Sequence, residues 1–230
     1  MSKNMENESH IIYNENDPEL IEILKNLKTK LVPFSIQSPN TLYNINSEKL
    51  FNNKNEHILD INEISILGKH NLENLISAAT CAHLIGIDDN KISQVMKEFS
   101  GVEHRLEYVS TINKIEFYND SKATNIDSVI VAIKSFTKPI VLILGGKNKG
   151  ADFRLLLPHI KPNQIRDIIS YGEAGGQINT ALGDAVRSVQ VTDLGSAVEK
   201  ARYLAAPGDI ILLSPGCASF DQFSNFEERG

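Results

Sequence analysis

The chain has 230 residues, 41% of them hydrophobic and 23% charged, with 14 Gly, 8 Pro and 2 Cys. That length holds one large domain or two small ones, and the composition excludes a collagen-like, disulfide-stapled or wholly disordered chain. The 23 Lys and Arg against 29 Asp and Glu leave a net charge of −6, which argues against a general nucleic-acid binder or a polybasic membrane-surface protein.

Residues 1–16 are polar and acidic, without the basic flank and apolar run of a signal peptide, and no apolar stretch has bilayer-spanning length. Cys81 and Cys217 lie far apart with no CxxC or Cys/His ligand spacing, so neither a zinc site nor a disulfide is expected and a reducing, cytoplasmic setting fits best. The first third is rich in Asn, Lys and Glu and gives way to a more apolar remainder, which points to two parts. Asp17-Pro18-Glu19 predicts a helix start, a capping oxygen followed by Pro at the first helical position, with Leu20, Leu24 and Leu27 as its apolar stripe. Short strands follow over 31–36, 42–45 and 58–66, separated by Pro, Asn and Ser turns. A helix over 71–85 presents Leu72, Leu75, Ile76 and Ala79 and stops at Gly86. A second, over 88–99, is capped by Asp88 or Asp89 and presents Ile92, Val95, Met96 and Phe99 before Ser100-Gly101, where we place a domain boundary.

Beyond Val102 the rhythm changes. Segments 106–112 and 115–118 flank Asn113-Lys114 as a hairpin, and strands then alternate with helices. The runs 140–144, 165–170, 189–191 and 210–213 are short and apolar or β-branched, as parallel strands covered on both faces require. Helices over 125–136, 152–160, 173–182 and 194–205 are the crossovers of a doubly wound, mostly parallel α/β sheet.

In such a sheet ligands bind beyond the carboxyl ends of the strands, and three of those loops carry chemistry. Residues 119–125 (NDSKATN) deliver a carboxylate, a cation and a hydroxyl to a helix start: Asp120 suits sugar hydroxyls, and Lys122, Thr124 and the helix amides suit an anion. A capped loop with a solvated lysine fits the same seven residues. Residues 145–150 (GGKNKG) combine glycines with two lysines but lack both GxxxxGK[ST] and GxGxxG spacing; they suit a carboxylate or phosphate contact, or a tight solvated turn. Residues 214–221 (SPGCASFD) offer hydroxyls and backbone amides; Cys217 has no evident His partner and reads as a small packed thiol, and Ser219 lacks a GxSxG elbow. His104-Arg105 sits at the proposed junction, and the other histidines show no metal-ligand spacing, so no metal site is assigned.

Taken in order, HNLEN at 70–74, GVEHRLE at 101–107, NDSKATN, GGKNKGADF and SPGCASFDQFSNFEERG resemble the Mur ligases over most of the chain. NDSKATN with SPGCASFDQF is similar to the members that add D-glutamate. The resemblance implies an ATP- and magnesium-dependent amide ligase of cytoplasmic peptidoglycan precursor synthesis, acting as a monomer on UDP-N-acetylmuramoyl-L-alanine and D-glutamate through an acyl phosphate, with no nucleic-acid or membrane partner. It implies that residues 1–100 are the C-terminal part of a central ATP-binding domain and residues 101–230 the C-terminal, amino-acid-binding domain. Asn74 would then lie near adenine, Arg105 near the ATP phosphates and Asp120 near the ribose. Lys149 and Thr124 would hold one D-glutamate carboxylate, Ser219 and the backbone around Phe226 the other, and Lys122 would add positive charge. The chain departs from the family in having no GTNGKTT P-loop, metal-binding Glu and His, modified lysine or UDP-binding domain, and in ending at Gly230 before a closing helix. The expectation is an engineered or truncated piece, with no catalytic residue assigned in it and no activity of its own. Other expectations are a Mur ligase adding a different amino acid, a folylpolyglutamate-type ligase, or a non-catalytic binding module of the same fold. A dinucleotide oxidoreductase would require a GxGxxG that the chain lacks.

Overall fold

The computed structural model describes residues 9–66, 68–161 and 163–230, so residues 1–8 of the polar N-terminal stretch lie outside the described residues. The chain divides into two compact units, Met1–Ser100 and Gly101–Gly230.

In the first unit, strands His10–Asn14 (β1) and Lys30–Phe34 (β2) pair in parallel across helix Pro18–Leu24 (α1). The helix begins as its sequence dictates: Asp17 accepts a hydrogen bond from the Leu20 N–H at 3.0 Å, and Pro18 fills the first helical position, where no N–H is needed. A three-stranded antiparallel meander follows, Tyr43–Asn46 (β3), Lys49–Asn52 (β4) and His57–Asp60 (β5). The strand predicted over 58–66 ends at Asp60, because Glu63 accepts from the Asp60 N–H at 2.9 Å and closes a 3₁₀ turn over Ile61–Glu63. Helices Lys69–Leu84 (α2) and Asp89–Glu98 (α3) complete a core that includes Tyr43, Leu50, Leu59, Ile76, Ile92 and Met96. Gly86, at φ 87°, takes the left-handed angle expected of the stop after α2. Val95 and Phe99, expected on the inner stripe of α3, stand 63% and 38% exposed, and Ser93 lies inside instead, its hydroxyl on the Ile58 carbonyl at 2.8 Å.

The second unit is a six-stranded sheet in the order β10-β9-β8-β11-β7-β6, formed by Glu107–Ile112 (β6), Ile115–Asn119 (β7), Ile140–Gly145 (β8), Ile165–Tyr171 (β9), Ser188–Gln190 (β10) and Ile210–Gly216 (β11). All pairings are parallel except the β6–β7 hairpin, whose turn residues Asn113 and Lys114 both take positive φ, 52° and 64°, matching the twist of a two-residue hairpin. Every residue of β8 is buried, as a strand covered on both faces must be. Helix Leu194–Leu204 (α6) packs Leu194, Ala197 and Ala201 against Val141, Ile143, Ile169 and Ile211 on one face. Helices Ile126–Lys134 (α4) and Gly175–Leu182 (α5) pack with the segment Phe153–His159, and Leu144, one register position from Ile143, lies beside Gly216 with Ile126 and Val129 on α4. The sheet is doubly wound. The helix predicted over 152–160 is 3₁₀ in form: Pro158 sits inside it, removing an N–H and biasing Leu157 away from α geometry. A four-residue helical turn at Phe226–Arg229 (α7) ends the chain. Among the described residues no helix is long and apolar enough to cross a membrane.

Candidate functional site

β8 and β11 are neighbours at the centre of the sheet. The segment leaving β8 runs to β9, while the chain reaches β11 from β10 through α6, so the crevice beyond their carboxyl ends is where this topology places a ligand. The loops after them are tied together there, the Lys147 N–H donating to the Ala218 carbonyl at 2.8 Å and the Ala218 N–H to the Lys147 carbonyl at 3.1 Å. Such a close approach requires glycine at 146: φ is 115°, and a Cβ would collide with the Ala218 carbonyl oxygen.

The loop after β7 lies alongside. Asp120 is only 7% exposed; its Oδ2 accepts from the Ser214 hydroxyl at 2.8 Å and its Oδ1 from the Leu106 N–H at 3.2 Å. Left-handed backbone at His104 and Leu106 (φ 63° and 46°) bends the approach to β6 so that this N–H, and the His104 carbonyl accepting from the Lys122 N–H at 3.0 Å, reach the loop. Burial pushes the Asp120 carboxyl up to about 6, against the opposing pull of Ser214, the Leu106 amide and the Arg105 charge. It is therefore largely ionised at neutral pH, with lone pairs left for hydroxyl donors.

Lys122 lays its ammonium over the Phe226 ring, 3.5 Å from the centroid, and Lys149 lies over Phe220 at 5.3 Å. Thr124 is exposed just before Asn125, which caps α4 by accepting from the Ser128 N–H at 2.8 Å. Ser219 is buried, and its carbonyl accepts from the Gln222 and Phe223 N–H groups. The structure thus brings Arg105, Asp120, Lys122, Thr124, Lys149, Ser219 and Phe226 to the loops of one sheet end, whereas Asn74 lies in the other unit, exposed on α2. Burial raises the Cys217 thiol to about 12, so it is an inert packed group.

Sequence reasoning missed the residue that binds these loops to one another. Arg229 is 4% exposed; its guanidinium donates to the Ser121 hydroxyl (2.9 Å), the Ser121 carbonyl (2.7 Å) and the Cys217 carbonyl (3.1 Å). The Ser121 hydroxyl in turn donates to the Phe226 carbonyl at 2.7 Å. Nothing local marks Arg229 in the run EERG; its partners lie 12 and 108 positions away. Ser214 was legible only as one hydroxyl among several in its loop.

A doubly wound domain with lysines, a buried carboxylate and hydroxyls gathered on the loops at its sheet's carboxyl end presents a polar site suited to an anionic ligand. Residues 104–217 match the family described as Mur ligase, glutamate ligase domain, and the chain belongs to the Mur ligase family. Its curated relatives include proteins named UDP-N-acetylmuramoylalanine--D-glutamate ligase. That of Bacillus cytotoxicus is 39% identical over 230 residues, covering 99% of this chain and 51% of the relative. That of Bacillus mycoides is 45% identical over 181 residues, 77% of this chain and 39% of the relative. That of Shouchella clausii is 38% identical over 232 residues, 100% of this chain and 51% of the relative. The chain spans about half the length of the relatives it matches end to end. Among solved structures, MurF from Acinetobacter baumannii superposes with a TM-score of 0.70 at 14% identity, covering 94% of this chain and 50% of that one. The UDP-N-acetylmuramate-alanine ligase MurC of Thermotoga maritima gives 0.62 at 15%, covering 89% and 47%. These two share the fold.

Proposed function

We propose that this chain is the later part of an ATP-dependent ligase that joins D-glutamate to UDP-N-acetylmuramoyl-L-alanine in cytoplasmic peptidoglycan precursor synthesis, acting as a monomer. In this reading Gly101–Gly230 is the amino-acid-binding domain and Met1–Ser100 the end of the ATP-binding domain. One observation carries it: the relatives that align with nearly the whole chain bear the name of that D-glutamate ligase; the loops of this chain offer the cations a dicarboxylate requires.

The residues present fit parts of ATP. Asp120 is a buried, oriented acceptor suited to ribose hydroxyls, Arg105 beside it is an exposed cation suited to phosphate, and Asn74 on α2 has an exposed amide suited to adenine. Lys149 and Thr124 would take one D-glutamate carboxylate, Ser219 and the Phe226 backbone the other, with Lys122 adding charge. Bound ATP supplies the phosphoryl group that turns a carboxylate into an acyl phosphate, and magnesium neutralises its charge. Among the described residues no three His, Cys, Asp or Glu side chains gather as a metal-ligand set; the resemblance to the Mur ligases assigns the protein ligands of magnesium to the rest of the enzyme. What these residues contribute is orientation: fixing both carboxylates of the amino acid leaves its amine in one position, which converts a bimolecular attack into a positioned one.

The test is the gene read through upstream of Met1 and expressed as one polypeptide. With ATP, UDP-N-acetylmuramoyl-L-alanine and D-glutamate it should release ADP. An upstream sequence without a GKT-type P-loop, no ADP, or faster turnover with another amino acid would each sink the reading.

A further inference from the structure

Lys25, Lys49, Lys97, Lys138, Arg154, Arg166 and Arg187 each meet a carboxylate in an ion pair. Among the described residues Lys122 and Lys149 do not; each faces an aromatic ring instead. Both rings come from one stretch, the loop and turn after β11. Phe226 is wedged between the Lys122 ammonium and the His104 ring, whose centroid is 6.1 Å away. Phe220 is 60% exposed beside buried Ser219, an unfavourable setting for a phenyl ring that contributes little to the core. A third such contact, Lys200 over Tyr203, joins near neighbours on α6 and follows from helix spacing, whereas these two join different segments of the chain.

We propose that Phe220 and Phe226 are positioning residues for the amino-acid substrate, their ring faces holding the Lys149 and Lys122 ammonium groups in place, unpaired, for the two carboxylates of a dicarboxylate ligand. The inference rests on the reading that this unit takes D-glutamate. The physics favours a ring over an acidic partner. A lysine held by a carboxylate must break an ion pair before it can bind a substrate anion, and it presents a negative charge to that anion. A ring restrains the flexible stem through its quadrupole, leaves the full charge in place and sheds water from one side of the ammonium. Restraint before binding lowers the entropy lost on binding. Two cations reserved in this way favour a ligand with two carboxylates over one with a single carboxylate.

The test uses the 230-residue chain with Phe220→Leu, Phe226→Leu and the corresponding Phe→Tyr variants, followed by NMR of the lysine side-chain methylene groups. In the parent chain the Lys122 and Lys149 signals should be displaced by the ring current, Lys122 more strongly, and each displacement should vanish in its own Leu variant and persist in the Tyr variant. Titration with D-glutamate should then give an affinity about three- to tenfold weaker in each Leu variant. The preference for D-glutamate over D-alanine should fall with it, and both should be restored by Tyr. Phe220→Leu carries the test should Phe226→Leu unfold, because Phe220 is exposed. Unchanged D-glutamate affinity and preference in the folded Leu variants would overturn the inference while leaving the D-glutamate reading intact. No response of the parent chain to D-glutamate would overturn the inference, and faster turnover of the longer polypeptide with another amino acid would overturn the D-glutamate reading itself.

Discussion

Asp120 is the residue at which fold and site pull in opposite directions. Its carboxyl titrates near 6 in the folded chain, because burial disfavours the charge, against about 4 when unfolded. The fold therefore favours the protonated form. Its contribution to stability is present below pH 4, declines as pH rises through 4 to 6, and is constant above. Asp120→Asn removes that term and keeps a hydrogen-bonding partner for Ser214. Thermal melts should show the variant more stable at pH 7 by on the order of 1–2 kcal/mol, with a flatter pH dependence between 4 and 6, while nucleotide affinity in the longer polypeptide falls. Melts that match the parent at every pH would show that the carboxylate is not strained by its burial. Arg229 gives the opposite expectation. Arg229→Met leaves two buried carbonyls and the Ser121 hydroxyl without their donor, and urea unfolding should register a loss of roughly 2–4 kcal/mol. The sequence marked Asp120 because it follows a strand within a polar loop. It could not mark Arg229, whose role exists only once distant segments meet.

Among the elements, the glycine-rich loop after β8 separates two uses of one residue type. Gly146 and Gly150 both take positive φ, 115° and 92°, but a Cβ at 146 meets the Ala218 carbonyl whereas at 150 it meets open space. Gly146→Ala should cost about 2–4 kcal/mol and break the Lys147–Ala218 bridge, and Gly150→Ala about 1–2 kcal/mol from backbone strain alone. Chemical denaturation of the pair, with amide exchange at Ala218, measures both. The β6–β7 turn offers a gain: Lys114→Gly, at φ 64°, should raise the melting temperature by the equivalent of about 0.5–1 kcal/mol. The hairpin and the apolar parallel strands were legible because their signals are local, a two-residue turn or a run such as IVLIL. The 3₁₀ segment around Pro158, strand β1 in a polar stretch and the exchange of Val95 and Phe99 for Ser93 on the inner face of α3 were not. Each is decided by what packs against it, and that lies elsewhere in the chain.

At the level of the whole molecule, two units with separate cores mean that the candidate site loops belong to the second unit alone, while Asn74 stands in the first. Calorimetry on the 230 residues should accordingly give at most millimolar D-glutamate binding and weak or no heat with ATP, because the chain has no P-loop to fix the phosphates. Micromolar ATP affinity would contradict the division of roles proposed for the units. The order of strands also bears on how the second unit comes to exist. β11, made after the other five strands of this sheet, lies between β7 and β8, with Ile210 beside both Glu116 and Ile140. Until it arrives, two strands have unpaired edges facing a gap, and the pairing that fills it joins position 210 to positions 116 and 140, far apart in the chain, a slow closure on entropic grounds. A nascent chain therefore waits in a sticky, aggregation-prone form for the strand that completes this sheet, and its refolding yield should fall steeply with protein concentration.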